Sequence, residues 1–231
     1  MGQPEGQVDR AHPWFGHFGD AVFSDPEPGF PFVVEDGVLR IEARKGADGK
    51  WRSGLLSAVD VEWQGFAQTF GYFGARMKFP PGKGVWPAFW LIGLDRSQYT
   101  VEIDVVEYYG HAPDRYSETV HIWPPKDGDG SRRHWERYER IRPGVSLTDQ
   151  FNTYGVLVDE VHTVFFFNGQ EVWRINTPPE FHTPVFPLVN LALGSGWPID
   201  ETPNPSYLYD DYVRVYERVP APRAAAIPTQ D

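Results

Sequence analysis

Val101-Glu102-Ile103-Asp104-Val105-Val106-Glu107-Tyr108-Tyr109 carries three carboxylates on one short segment. In an extended strand alternate side chains share a face, so Glu102 and Asp104 point together and Glu107 points away. One β-bulge at Val105-Val106 restores the parity and sets all three acids on one face, with Ile103 toward the core. Crowded carboxylates repel, and the repulsion raises the pKa of at least one member. Glycoside hydrolysis uses that arrangement. A retaining reaction needs a carboxylate nucleophile and a carboxylic acid about 5–5.5 Å apart. The plainer readings are a solvated acidic face, or a cation site made from the same acids.

Upstream, Gly84-Val85-Trp86-Pro87-Ala88-Phe89-Trp90 puts Trp86, Ala88 and Trp90 on one strand face. Two indoles there suit either a sugar-stacking floor or ordinary core packing. The elements that must hold these groups are strands. In Val38-Leu39-Arg40-Ile41-Glu42-Ala43-Arg44 the apolar side chains alternate with the charged ones, which is the period of a half-buried strand. Similar strands are expected near 51–59, 70–79, 86–94, 99–108, 115–123, 151–158, 163–167, 170–176, 186–193 and 207–217. Asn168-Gly169, between two apolar runs, predicts a tight hairpin. A dozen short antiparallel strands imply two packed sheets, all-β, a sandwich or jelly roll.

Composition narrows the function. The chain has 231 residues, enough for one domain with a real core. Its 23 Gly and 22 Pro interrupt any long helix. The absence of Cys excludes disulfides, thiolate metal sites and a cysteine nucleophile. A formal charge of −11 makes the chain a poor ligand for nucleic acid or anionic membranes. No apolar run approaches the ~20 residues of a membrane helix. The start lacks the apolar stretch of a signal peptide, so either the chain is cytoplasmic or it is a mature or trimmed form. One domain over 13–217 is expected, with loose ends at 1–12 and 218–231. The seven His show no metal-ligand spacing. Gly194-Ser195-Gly196 is not a nucleophile elbow. Ser131 to Arg142 is rich in arginine; a solvated loop and edge strand is the plain reading, and a face for a charged polysaccharide the sharper one.

Glu102-Ile103-Asp104-Val105-Val106-Glu107 resembles the active-site signature of glycoside hydrolase family 16 in its bulged, laminarinase-like form. Gly71-Tyr72-Phe73-Gly74-Ala75-Arg76 and Gly84 to Leu91 resemble the strand pair that precedes it. Phe151-Asn152-Thr153-Tyr154 with Phe166-Phe167-Asn168-Gly169 resembles a later hairpin. Asn190 to Gly194 with Trp197-Pro198, and Asp211 to Tyr216, resemble the closing strands. Two departures stand out: Gly74 where the family usually has Glu, and Val158 where a Trp is frequent. Within the family, the run Leu188 to Asp200 is most similar to bacterial enzymes that cut exopolysaccharides.

The resemblance implies a concanavalin-like jelly roll with a concave cleft that cuts a polysaccharide internally, with retention. It implies Glu102 as nucleophile, Asp104 as assisting acid and Glu107 as acid/base. Trp86, Trp90, His121 and Trp197 become substrate-binding candidates, and Asn190 a residue of a matching motif. It implies a structural calcium held at Asp211 and Gly37, no cofactor for the chemistry, a monomer, and an extracellular or periplasmic site of action. A transglycosylase of the same fold and a non-catalytic carbohydrate-binding jelly roll are the rivals.

Overall fold

The computed structural model describes residues 17–125 and 133–217. The ends expected to be loose, at 1–12 and 218–231, lie outside them, as do Ser131 and Arg132. The strands are β1 (Val22–Phe23), β2 (Phe32–Glu35), β3 (Val38–Lys45), β4 (Trp51–Ser53), β5 (Leu55–Ser57), β6 (Gly71–Lys78), β7 (Val85–Gly93) and β8 (Thr100–Glu107). They continue with β9 (Tyr116–Trp123), β10 (Trp135–Ile141), β11 (Asn152–Val158), β12 (His162–Phe167), β13 (Gln170–Asn176), β14 (Val185–Leu193) and β15 (Ser206–Tyr216). The described residues contain no α-helix, only a 3-10 turn at Pro179–Phe181.

Two sheets face each other. The larger runs β1-β4-β3-β15-β6-β11-β12-β13, with β2 paired to β3. The smaller runs β10-β9-β8-β7-β14-β5. Every pairing is antiparallel except that of β1 with β4. This is the expected sandwich. Its core is filled from both inner faces by Ile41, Phe73, Met77, Phe89, Leu91, Ile103, Val120, Val156, Phe165 and Leu191, all essentially inaccessible. The predicted hairpin joins β12 to β13, with Asn168 and Gly169 both at positive φ, as a two-residue turn of this kind requires.

The sequence's departure at Gly74 has a packing reason. Gly74 pairs with Gly155 across β6 and β11, and the Tyr72 ring lies over both. A Cβ on Gly155 would run into the Tyr72 hydroxyl, so the pair of glycines makes the bed for that ring.

The smaller sheet positions the candidate site. Between β8 and β9, Asp104 pairs with Thr119 and Glu107 with Ser117, so one strand uses an extra residue. That is the expected bulge, and Val105 and Val106 are consecutive yet both buried in the core. Losing one ladder hydrogen bond costs about 0.5–1.5 kcal/mol net. Burying each valine returns roughly 1.5–3 kcal/mol, so burial wins and the bulge is stable.

Candidate active site

Glu102, Asp104 and Glu107 emerge together on the outer face of the smaller sheet. They line one cleft of about 730 Å³. Each has its own partners. Glu107 Oε1 accepts from the Tyr109 hydroxyl at 2.8 Å and from the Trp86 indole at 3.1 Å. Glu102 Oε2 accepts from the Trp123 indole at 3.1 Å. Asp104 Oδ2 lies 3.2 Å from His121 Nε2. One oxygen each of Glu102 and Asp104 and a ring nitrogen of His121 all lie within 4.8 Å of one another.

Burial and repulsion set the charge state. Burial is the first cause that pushes Glu102 up to about 8, and the charge of Asp104 the second; His121 and the Trp123 indole oppose them. Burial, then the charge of Glu107, holds Asp104 well above the usual carboxylate range. Burial raises Glu107 as well, against the pull of Tyr109, Trp86, His121 and Thr119. Three crowded acids cannot all ionise near neutrality, so the cluster keeps protons.

The aromatic candidates separate. Trp86 stacks on Tyr109 at 5.9 Å between centroids, at the border of the cleft. Trp197 is 49% exposed at the rim, with one face on the His111 ring at 3.7 Å. Trp90 is buried in a second apolar cluster with Phe23, Leu55, Ala88 and Phe186. Its indole N–H donates to Asn190 Oδ1 at 2.8 Å, and Asn190 is itself fully buried. Trp90 therefore presents little more than an edge, in a recess of about 300 Å³ that it shares with Phe18, Trp86 and the three acids. His121 lines the main cleft beside Asp104, as expected.

Several site residues escaped the reading of the sequence. Tyr109 and Trp123 each sit two positions beyond a residue already singled out, Glu107 and His121, so strand alternation could have found them. Arg96, which lines the recess beside Glu102, sits in the loop between β7 and β8, where there is no periodic signal. The edge strand β10 adds Glu136, Tyr138 and Arg140 to the cleft. Within the arginine-rich stretch, Arg137 covers the Trp135 ring and Arg142 pairs with Asp114 at 3.0 Å. Arg115 and Arg140 line the cleft, and neither makes an ion pair among the described residues.

Gly37 and Asp211 border one cavity on the other side of the molecule. Calcium takes six to eight oxygens. Asp211 gives its carboxylate to Arg76 instead, and the adjoining Asp210 is buried with its carboxyl pushed up to about 7 by burial first and by Asp211 second. The cavity wall is otherwise largely apolar, with Val34, Leu39, Pro187 and Val213. As arranged, the Asp211 carboxylate is engaged by Arg76, and a cation there would first displace that guanidinium.

Comparison with known proteins agrees with this architecture. Residues 35–212 match the family profile described as Glycosyl hydrolases family 16. The chain is 36% identical over 196 residues to Endo-1,3-1,4-beta-glycanase ExsH of Rhizobium meliloti, an alignment covering 80% of this chain and 39% of that protein. It is 30% identical over 211 residues to the Beta-glucanase of Rhodothermus marinus, covering 80% of this chain and 70% of that protein. The laminarinase catalytic domain of Thermotoga maritima superposes with a TM-score of 0.71 at 26% identity, over 87% of this chain and 84% of that one. The chain thus spans less than half the length of the Rhizobium relative.

Proposed function

The chain belongs to glycosyl hydrolases family 16, and from that premise we propose that it is a retaining endo-β-glycanase cutting internal β-glycosidic bonds of a polysaccharide. The observation that carries the reading is the bulged β8, which turns three carboxylates, Asp104 buried and Glu102 and Glu107 partly so, into one cleft with three different sets of partners.

Glu107 is the acid/base. Its raised pKa keeps the proton that the leaving oxygen takes as the glycosidic bond breaks. Glu102 is the nucleophile, and its freed carboxylate attacks the anomeric carbon to give a glycosyl-enzyme. Asp104 shares a proton with Glu102: its charge opposes ionisation of Glu102, and taking up the proton lifts that opposition as Glu102 ionises. Water then adds to the anomeric carbon and gives a proton to Glu107, and the bond to Glu102 breaks. Trp86 and Trp197 offer ring faces to the sugars on the way in. No cofactor enters these steps.

The substrate class that fits is a β-1,3- or mixed β-1,3/1,4-glucan, or a bacterial exopolysaccharide. A polymer substrate favours action outside the cytoplasm, extracellular or periplasmic, by a monomer. Transglycosylation would use the same acids with a sugar hydroxyl in place of water, and product analysis with an added acceptor separates the two. A pure binding module gains nothing from three repelling acids.

The test is release of reducing ends from laminarin, lichenan, agarose, carrageenan and succinoglycan-type polymers, with the anomer of the product followed by NMR. Glu107→Ala should lower turnover by about 10²–10⁴-fold, and Glu102→Ala should abolish it. Cleavage at the wild-type rate by both variants, or binding of a polymer that is never shortened, would overturn the reading.

A further inference from the structure

His121 and His134 are remote in sequence, and the edge of the smaller sheet brings them together. His121 Nδ1 lies 2.9 Å from His134 Nε2. Glu136 Oε2 lies 3.6 Å from the first and 4.0 Å from the second. Around a tetrahedral zinc with bonds of about 2.05 Å, donor atoms stand roughly 3.3 Å apart. The three observed separations bracket that value, so small side-chain adjustments would seat an ion on all three. We propose that His121, His134 and Glu136 form a binding site for a divalent transition ion, zinc in particular, at the margin of the cleft.

The surroundings are those of a metal site. His121 and Glu136 are directly opposed in the register of β9 and β10, so the backbone fixes two of the donors. The Trp123 ring stacks on His134 at 3.7 Å and 1° from parallel, which fixes the plane of the third. With Nδ1 given to the ion, His121 keeps its proton on Nε2, where Asp104 Oδ2 stands at 3.2 Å. A carboxylate on the far nitrogen of a ligating imidazole orients the ring and strengthens its donation. Two imidazoles and one carboxylate select zinc, copper or nickel over calcium and magnesium. His121 and Glu136 both line the cleft, so a bound ion stands at the edge of the path a glycan takes. Occupancy would then oppose substrate binding.

The experiment begins with chelator-treated, desalted protein. Zinc chloride is titrated by calorimetry, and cobalt(II) is added in parallel for its visible absorption bands. One ion per chain and tetrahedral-type cobalt bands are expected. His134→Ala and Glu136→Gln, checked for unchanged melting, should each weaken binding by about tenfold or more. On a cleaved glycan, zinc should raise KM more than it lowers kcat, reversibly by chelator, and His134→Ala should blunt the effect. The binding arm stands whether or not the cleft proves to be a glycanase site. No stoichiometric binding at millimolar zinc, or binding as tight in both variants as in wild type, overturns the proposal.

Discussion

The Tyr109 hydroxyl donates to Glu107 Oε1 at 2.8 Å, so the residue two positions along the chain sets how readily that carboxyl ionises. That bond favours the charged form of Glu107, against burial, which favours the neutral one. Tyr109→Phe should therefore raise the pKa of Glu107. Because the proposed reaction needs Glu107 protonated, the alkaline limb of kcat/KM should move upward, by on the order of one pH unit. A pH–rate profile reads this directly, and a limb that stays put or moves down would dissociate Tyr109 from the acid.

Asp104 acts on the other limb. Its charge is the second cause, after burial, of the raised Glu102 pKa. Asp104→Asn keeps the shape and a hydrogen-bond donor but removes the charge. Glu102 then ionises more easily, and the acid limb of kcat/KM should shift to lower pH. An acid limb displaced upward in this variant would reverse the assigned coupling.

Glu118 lies on β9 with its side chain in the core, and its Oε2 has no hydrogen-bond partner among the described residues. Burial, with the Glu139 charge adding to it and the Tyr116 hydroxyl opposing, raises it from 4.5 to about 8. The unfolded chain releases this proton near 4.5 and the folded one near 8, so the contribution of Glu118 to stability falls as pH rises across that window and is constant beyond it, in addition to those of Glu102 and Asp210. Each unit of displacement is worth about 1.4 kcal/mol. Glu118→Gln should make the dependence shallower and leave the variant more stable than wild type above pH 8, as urea unfolding at several pH values would show. An unchanged slope would mean that Glu118 reaches water.

Arg115 and Arg140 bring positive charge, without an ion pair among the described residues, to the cleft of a chain whose net charge is −11. If they hold acidic substituents of a glycan, cleavage of an anionic polymer should weaken with salt more steeply than cleavage of a neutral one. Arg115→Ala with Arg140→Ala should remove that difference by raising KM for the anionic polymer several-fold. Equal salt dependence for both polymers would return these arginines to the solvated surface.

Strand alternation made much of the frame legible. Leu39, Ile41 and Ala43 announce β3, and the parity of Glu102, Asp104 and Glu107 announces the bulge before any coordinates. β10 could be read only as an edge, because Glu136, Arg137, Tyr138, Glu139 and Arg140 offer no apolar face to count. The two-residue β1 is too short to carry a period. Trp90 shows the limit at the site: its strand face is the cleft face, yet Phe18, Phe23 and the chain near Trp63 cover it. Which outer positions a loop covers is a tertiary matter that spacing does not encode. His134 had no sequence signal at all, since it meets His121 only through the register of β10 on β9.

The bulge at Val105-Val106 has a genetic consequence. Deleting one valine codon would leave Glu-Ile-Asp-Val-Glu, in which plain alternation already sets the three acids on one side. A one-residue deletion inside a strand normally inverts every side chain beyond it. Here it would abolish the bulge instead and leave the chemistry facing outward. The most sensitive strand of the molecule thus contains a place where an in-frame gain or loss is absorbed, and five- and six-residue versions of this segment are neighbours separated by a single mutational step.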